Sequence, residues 1–155
     1  MIKGIDINVQ SRARQILIHG LALVLVGIIW GLVIPHTPFP RLALSAHIQA
    51  VLNGMLFILM AILLLTLPHK VSARSALVML IAACLTWLTV ISEIANAWWG
   101  TAESLAIAAQ QAGASGGAMW QEQFVKLTHI PAIIGLIVAW ILLIAGFVQK
   151  PDSQD

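Results

Sequence analysis

Four long apolar runs constrain this chain more than any other feature. Residues 16–34, 42–67, 76–99 and 127–148 are each long and apolar, and about 20 residues of helix, at about 1.5 Å per residue, cross about 30 Å of hydrocarbon. Apolar residues make up 60% of the 155 and charged residues 9%, far from the roughly 25% charged content of a soluble domain. Little chain is left over for a soluble domain. The pattern predicts an all-α fold: a single integral membrane four-helix bundle whose spans are these four runs. Arg12 and Arg14 precede the first run as in a signal peptide, but a secretory apolar region is only about 7–15 residues, so this run reads as a retained span.

The connections agree with this layout. Residues 35–41 carry three prolines, which prevent helix continuation and predict a short, stiff outer connection. Residues 68–74 read as a tight turn, so adjacent spans run antiparallel. Residues 101–123 form a longer outer connection. Its Ala-rich half predicts an interfacial helix or an extension of span three. Its glycine-rich half is not a phosphate loop, because no Lys-Ser or Lys-Thr follows. Lys3, Arg12, Arg14, Lys70, Arg74 and Lys150 lie on one side and only Arg41 and Lys126 on the other, which predicts cytoplasmic termini. The pI near 9.1 rests on these juxtamembrane charges. It implies a lipid bilayer with anionic headgroups as partner and no nucleic acid. The polar tail after Lys150 is expected to fray. The single cysteine, Cys84, excludes an internal disulfide or a thiolate metal cluster and is expected to be buried and inert.

Polar side chains inside the spans are the functional signal, since each costs several kcal/mol, roughly, unless partnered. Span three carries Thr86, Thr89, Glu93 and Asn96 at spacings of three, four and three, one face of a helix that must point inward. Glu93 there needs a partner or a proton, which makes it a candidate acid or base. Span two carries His47 and Asn53. His47, Ala50, Val51 and Gly54 share one ridge, whose small residues would leave room for a flat ligand. Asn53 is rotated by about −120° from His47 at 100° per residue, so the two would flank a pocket. His129 is expected to begin span four at the depth of His47, with Pro131 in its first turn. Two histidines at one level could hold a haem from both faces, as in an electron-transfer subunit. His36 and His69 read as solvated loop residues. Trp98, Trp99 and Trp120 read as an interfacial belt, while Trp30, Trp87 and Trp140 could wall an aromatic substrate. A haem-free bundle, with the stripe serving only to pack helices, is a further alternative.

The run Pro40-Arg-Leu-Ala-Leu-Ser-Ala-His-Ile-Gln-Ala-Val-Leu-Asn-Gly-Met55, with Ile94-Ala-Asn-Ala-Trp98 and Trp120-Gln-Glu122, resembles the hydroxylaminobenzene mutases, small four-span bacterial membrane proteins, and more distantly the styrene oxide isomerases. The shared pattern is a histidine followed six residues later by Asn-Gly-Met. The resemblance implies a homotrimer in the bacterial inner membrane that acts on a small aromatic substrate. It also implies haem b with ferric (Fe3+) iron as a Lewis acid, His47 as axial ligand with Gly54 beside the cofactor, and Asn53 holding the substrate oxygen. Glu93 or Asn96 would move a proton and Trp98 would pack on the ring. The isomerase branch uses a span-three tyrosine, and this chain contains no tyrosine. The implied reaction is therefore rearrangement of an aryl hydroxylamine to an aminophenol, with isomerisation of an aryl epoxide to an aldehyde as the alternative.

Overall fold

The computed structural model describes residues 6–149, so Lys3, Lys150 and the tail expected to fray lie outside the described residues. Helix α1 runs Ile7–Val33 and is followed by a 3-10 turn at Ile34–His36; then come α2 at Pro40–Thr66, α3 at Ala73–Trp99, α4 at Ala106–Ala112 and α5 at Met119–Val148. Four of these helices are long and apolar enough to cross a membrane. The chain is an all-α, multi-pass membrane bundle.

Local chemistry sets the helix ends. Asp6 accepts from the Asn8 amide at 2.8 Å, so α1 starts nine residues before the apolar run does. Pro40 opens α2, where its missing N–H has no role to play. Ser72 caps α3 by accepting from the Ser75 amide at 3.1 Å. Gly100, at φ 65°, ends α3; a side chain there would also strike the Phe39 ring at 2.6 Å. The Ala-rich segment is thus no continuation of span three. It forms the separate short helix α4, which packs against α2.

The fourth span also departs from its expected start. Gln121 accepts from the Ala118 amide at 2.8 Å, and this half of a capping box lets α5 begin at Met119. His129 consequently sits three turns inside the helix, and Pro131 is interior. The Leu127 carbonyl, which Pro131 would ordinarily serve, loses its N–H donor.

Helix α1 pairs most closely with α2, and α3 with α5, with α2–α3 and α1–α3 contacts joining the two pairs. In lipid the attraction between helices is mainly close van der Waals packing, which small residues permit. The α1–α2 seam is built that way. A Cβ on Gly54 would lie 2.7 Å from the Gly20 carbonyl oxygen, and one on Gly27 would lie 2.7 Å from Val51 Cγ2. The core below is apolar, with Ile16, Leu23, Phe57, Met60, Leu64 and Met79 fully buried. His69 is half-buried rather than solvated: Nε2 lies 3.0 Å from the Leu64 carbonyl, and Nδ1 accepts from the Val71 amide at 3.2 Å. His36 is exposed, as expected.

Arg12 donates to the Ala73 carbonyl, so the start of α1 and the second connection share one end of the bundle. Arg41 donates to Gln111 at 2.6 Å, which ties the start of α2 to α4 at the other end. Cys84 is exposed on the surface of the bundle, not buried. Its sulfur lies 3.8 Å from His19 Nε2, and Trp87 Nε1 donates to His19 Nδ1 at 3.0 Å. Trp87 thus binds α3 to α1 and does not wall the cavity described next.

Candidate active site

Helices α2, α3 and α5 leave between them a cavity of about 460 Å3, within the 300–1,000 Å3 range of small-molecule sites. Helix α2 contributes Ser45, Gln49 and Asn53; α3 contributes Thr86, Thr89 and Glu93; α5 contributes His129. Ile48, Leu52, Ile133 and Leu136 supply apolar wall, and Arg41 and Leu105 lie at the α4 end. Asn53 and Glu93, read from the sequence as site residues, are brought together here.

Glu93 is 3% exposed and fully partnered. His129 Nε2 lies 2.8 Å from its Oε1. Gln49, with its amide nitrogen turned to a group that can only accept, donates to both carboxylate oxygens, at 2.7 Å to Oε2. His129 Nδ1 lies 2.6 Å from the Val125 carbonyl oxygen. A carbonyl cannot donate, so Nδ1 carries a proton. A second proton occupies the Nε2–Oε1 bond, and the two Gln49 donations favour keeping Glu93 as the carboxylate and His129 as the imidazolium. The pair is neutral overall, which is the form in which such groups are tolerated in an apolar interior. With both ring nitrogens engaged, His129 has no lone pair to offer a metal. The structure therefore does not support the bis-histidine arrangement with His47.

The rest of the α3 stripe faces inward as its spacing predicts: Thr86, Thr89 and Asn96 are all buried. Thr89 donates to the Thr128 carbonyl at 3.0 Å, and Thr128 donates to Ser92 at 2.8 Å, which ties α3 to α5 beside the acid pair. Thr86 bonds its own helix, donating to the Ala82 carbonyl. Asn96 does not line the cavity. Its Oδ1 accepts from the Thr101 amide at 2.7 Å, where it secures the chain after α3.

His47 and Asn53 address different neighbours and do not flank one pocket. The His47 ring is half-buried in the α1–α2 seam, with Nδ1 2.7 Å from the Gly27 carbonyl. Gly31 makes room for it, since a Cβ there would lie 3.2 Å from Nδ1. The space expected beside Gly54 for a flat ligand is filled by α1. Gly54 is buried against the Gly20 backbone and lines no open volume. Trp98 is not a cavity wall either; it is 49% exposed and packs on Trp30, with ring centroids 5.6 Å apart. Trp99 and Trp120 meet edge to face at 5.1 Å near the end of the bundle where the belt was expected.

Two residues escaped the sequence reading. Gln49 was legible in principle, because Ser45, Gln49 and Asn53 recur every four residues and share one face of α2. Glu122 stands in the Trp120-Gln-Glu122 patch of the resemblance, but nothing there points to its partners. It is buried and accepts from the amides of Ala102 (2.8 Å), Gly117 (2.9 Å) and Glu103 (3.0 Å), gathering the third connection over the end of the cavity. Its partners are distant in sequence and are backbone groups, which no side-chain pattern reveals.

Comparison with known proteins converges on one family. The chain is 28% identical over 145 residues to hydroxylaminobenzene mutase HabB of Ectopseudomonas oleovorans, covering 92% of this chain and 85% of the relative. It is 30% identical over 132 residues to hydroxylaminobenzene mutase HabA of the same organism, covering 84% and 94%. No solved structure matches significantly. The sequence profile of the styrene oxide isomerase family matches residues 12–148. With nearly every residue of the bundle inside that match, the chain belongs to the styrene oxide isomerase family and is an isomerase of the membrane.

Proposed function

We propose that this isomerase rearranges an aryl hydroxylamine to an aminophenol, with ferric haem b as cofactor. The observation that carries the reading is the Glu93 carboxyl group, held by Gln49 and His129 and facing a cavity of about 460 Å3 with apolar walls. A carboxylate only accepts hydrogen bonds. An aryl hydroxylamine offers N–H and O–H donors to it, whereas an epoxide offers none. The names of the two mutase relatives agree with this choice. Isomerisation of an aryl epoxide to an aldehyde is the second reading; it rests on the family match and on the Asn53 amide, which can donate to an epoxide oxygen.

The His47 imidazole, though not the filled space beside Gly54, suits a haem iron. Nδ1 is held on the Gly27 carbonyl, which fixes the tautomer and leaves Nε2 as a free lone pair, the arrangement that metal-binding histidines adopt. When bound, ferric haem supplies a Lewis acid toward the hydroxyl oxygen. The chain's own residues do the rest. Ile48, Leu52, Ile133 and Leu136 pack the ring and exclude water, and Asn53 holds the oxygen. Glu93 takes the proton that the ring carbon must lose to regain aromaticity, while Gln49 and His129 keep it ionised until then. His47 lies in the α1–α2 seam and Asn53 in the cavity, so the two serve one substrate only across a contact between copies, in the homotrimer that the family resemblance implies. The setting is a bacterial inner membrane, with the Arg12 end of the bundle cytoplasmic.

The test is the ferric absorption spectrum of detergent-purified protein before and after phenylhydroxylamine is added, with aminophenol measured as product and styrene oxide offered in parallel. A haem spectrum that shifts with substrate, and aminophenol formation lost in His47→Ala, is the expected result. A folded, haem-free protein, or a fully active His47→Ala variant, refutes the assignment.

A further inference from the structure

We propose that His129 is a proton port, passing protons between Glu93 and water at the end of the bundle that carries α4. A second cavity, of about 240 Å3, lies there, lined by Glu103, Ser104, Lys126, His129 and Ile130. His129 is the one residue common to both linings. Of the acid pair it is also the more open member, 13% exposed against 3% for Glu93. Besides the first cavity, which Glu93 itself lines, the imidazole offers the carboxylate a second way to the outside.

The second cavity suits water rather than substrate. Its volume holds several molecules at about 30 Å3 each, and the exposed charges of Glu103 and Lys126 keep its mouth wet. Ser104 Oγ is buried without a protein partner, a group that an ordered water would satisfy. Nδ1 is held on the Val125 carbonyl and Nε2 on Glu93, so exchange of the Nε2 proton requires the ring to turn from Glu93 to the second cavity.

The proton count closes without any redox partner. Glu93 takes the ring proton, and the C–H electron pair stays with the arene. Once protonated, Glu93 no longer holds the imidazolium, whose ring turns Nε2 to the second cavity, releases that proton to water and turns back. The new carboxylic acid hands its own proton to the vacated Nε2, which restores carboxylate and imidazolium. One proton has moved from substrate to water. Run in reverse, the same path returns the proton that the product nitrogen requires. Gln49, which donates to Glu93, holds the carboxylate in place throughout.

The role in turnover rests on the reaction proposed above, but the port itself can be tested without substrate. In full-length protein with 15N-labelled histidine in lipid nanodiscs, NMR reads the exchange of the His129 Nε2 proton with water, the resonance being assigned with His129→Gln. Ile130→Trp fills the second cavity and is expected to slow exchange several-fold. Leu136→Trp, which fills the first, is expected to leave it unchanged. Ser104→Phe blocks the second cavity from another wall and replaces Ile130→Trp if that variant misfolds. Exchange unchanged by blocking the second cavity, or slowed instead by Leu136→Trp, overturns the port. Turnover separates the two ideas. If the wild-type enzyme leaves aryl hydroxylamine untouched, the reaction is wrong while the exchange data still judge the port. If it turns over, Ile130→Trp lowers kcat with KM unchanged.

Discussion

Replacing Glu93 and His129 by alanine, singly and together, tests whether the acid pair acts as one unit. His129→Ala strips the carboxylate of its 2.8 Å donor and leaves it buried with Gln49 alone, so the cost sits near the low end of the 3–5 kcal/mol typical of breaking a buried pair, about 3 kcal/mol. Glu93→Ala is milder, because an imidazolium without its counter-ion can shed a proton; the loss is one charge-assisted hydrogen bond, about 2 kcal/mol. Independent sites would then sum to about 5 kcal/mol in the double variant. A coupled pair that leaves together costs about 3 kcal/mol in total, a coupling of about 2 kcal/mol. Neutral hydrogen bonds between membrane helices average only about 0.6 kcal/mol, so a coupling of this size requires charge. Reversible unfolding of the four proteins in mixed micelles measures all the terms. Additivity within about 0.5 kcal/mol would refute the pairing.

Gly54→Ala should destabilise the bundle by about 3 kcal/mol, the upper part of the overpacking range, because the new Cβ meets backbone of α1 that cannot swing aside; the same unfolding assay reads it, and a neutral result would mean that the α1–α2 seam is looser than described. Glu122→Ala strands three amide donors of the third connection. It is expected to open α4 and its flanks to hydrogen exchange and proteolysis while the four spans keep their protection, so unchanged exchange there would deny Glu122 its anchoring role.

Much of the architecture could be read from the residues alone. Length and apolarity determined four spans, because hydrocarbon leaves a chain of this composition no alternative to closed backbone hydrogen bonding. The spacing of Thr86, Thr89, Glu93 and Asn96 determined which face of α3 turns inward, because polar groups cannot face lipid. Individual identities also spoke: a carboxylate in a span needs a partner, and Glu93 has two, from His129 and Gln49.

Which helix lies against which face was decided only by the tertiary structure. In water an amphipathic stripe marks the core, but in lipid both the core and the outer surface are apolar, so the pattern loses its contrast. That is why the ridge of His47 and Gly54 reads as open space when α1 fills it; Trp98, an interfacial ring by its place in the span and a substrate wall only by the family resemblance, packs on Trp30. Asn96 shares the stripe with Glu93 but lies close enough to the helix end to serve the Thr101 amide instead. His129 was placed at a helix start because the apolar run begins there. Gln121 caps the helix earlier, and those extra turns carry the imidazole to Glu93, a meeting of two residues 36 positions apart that depends on how α5 lies along α3.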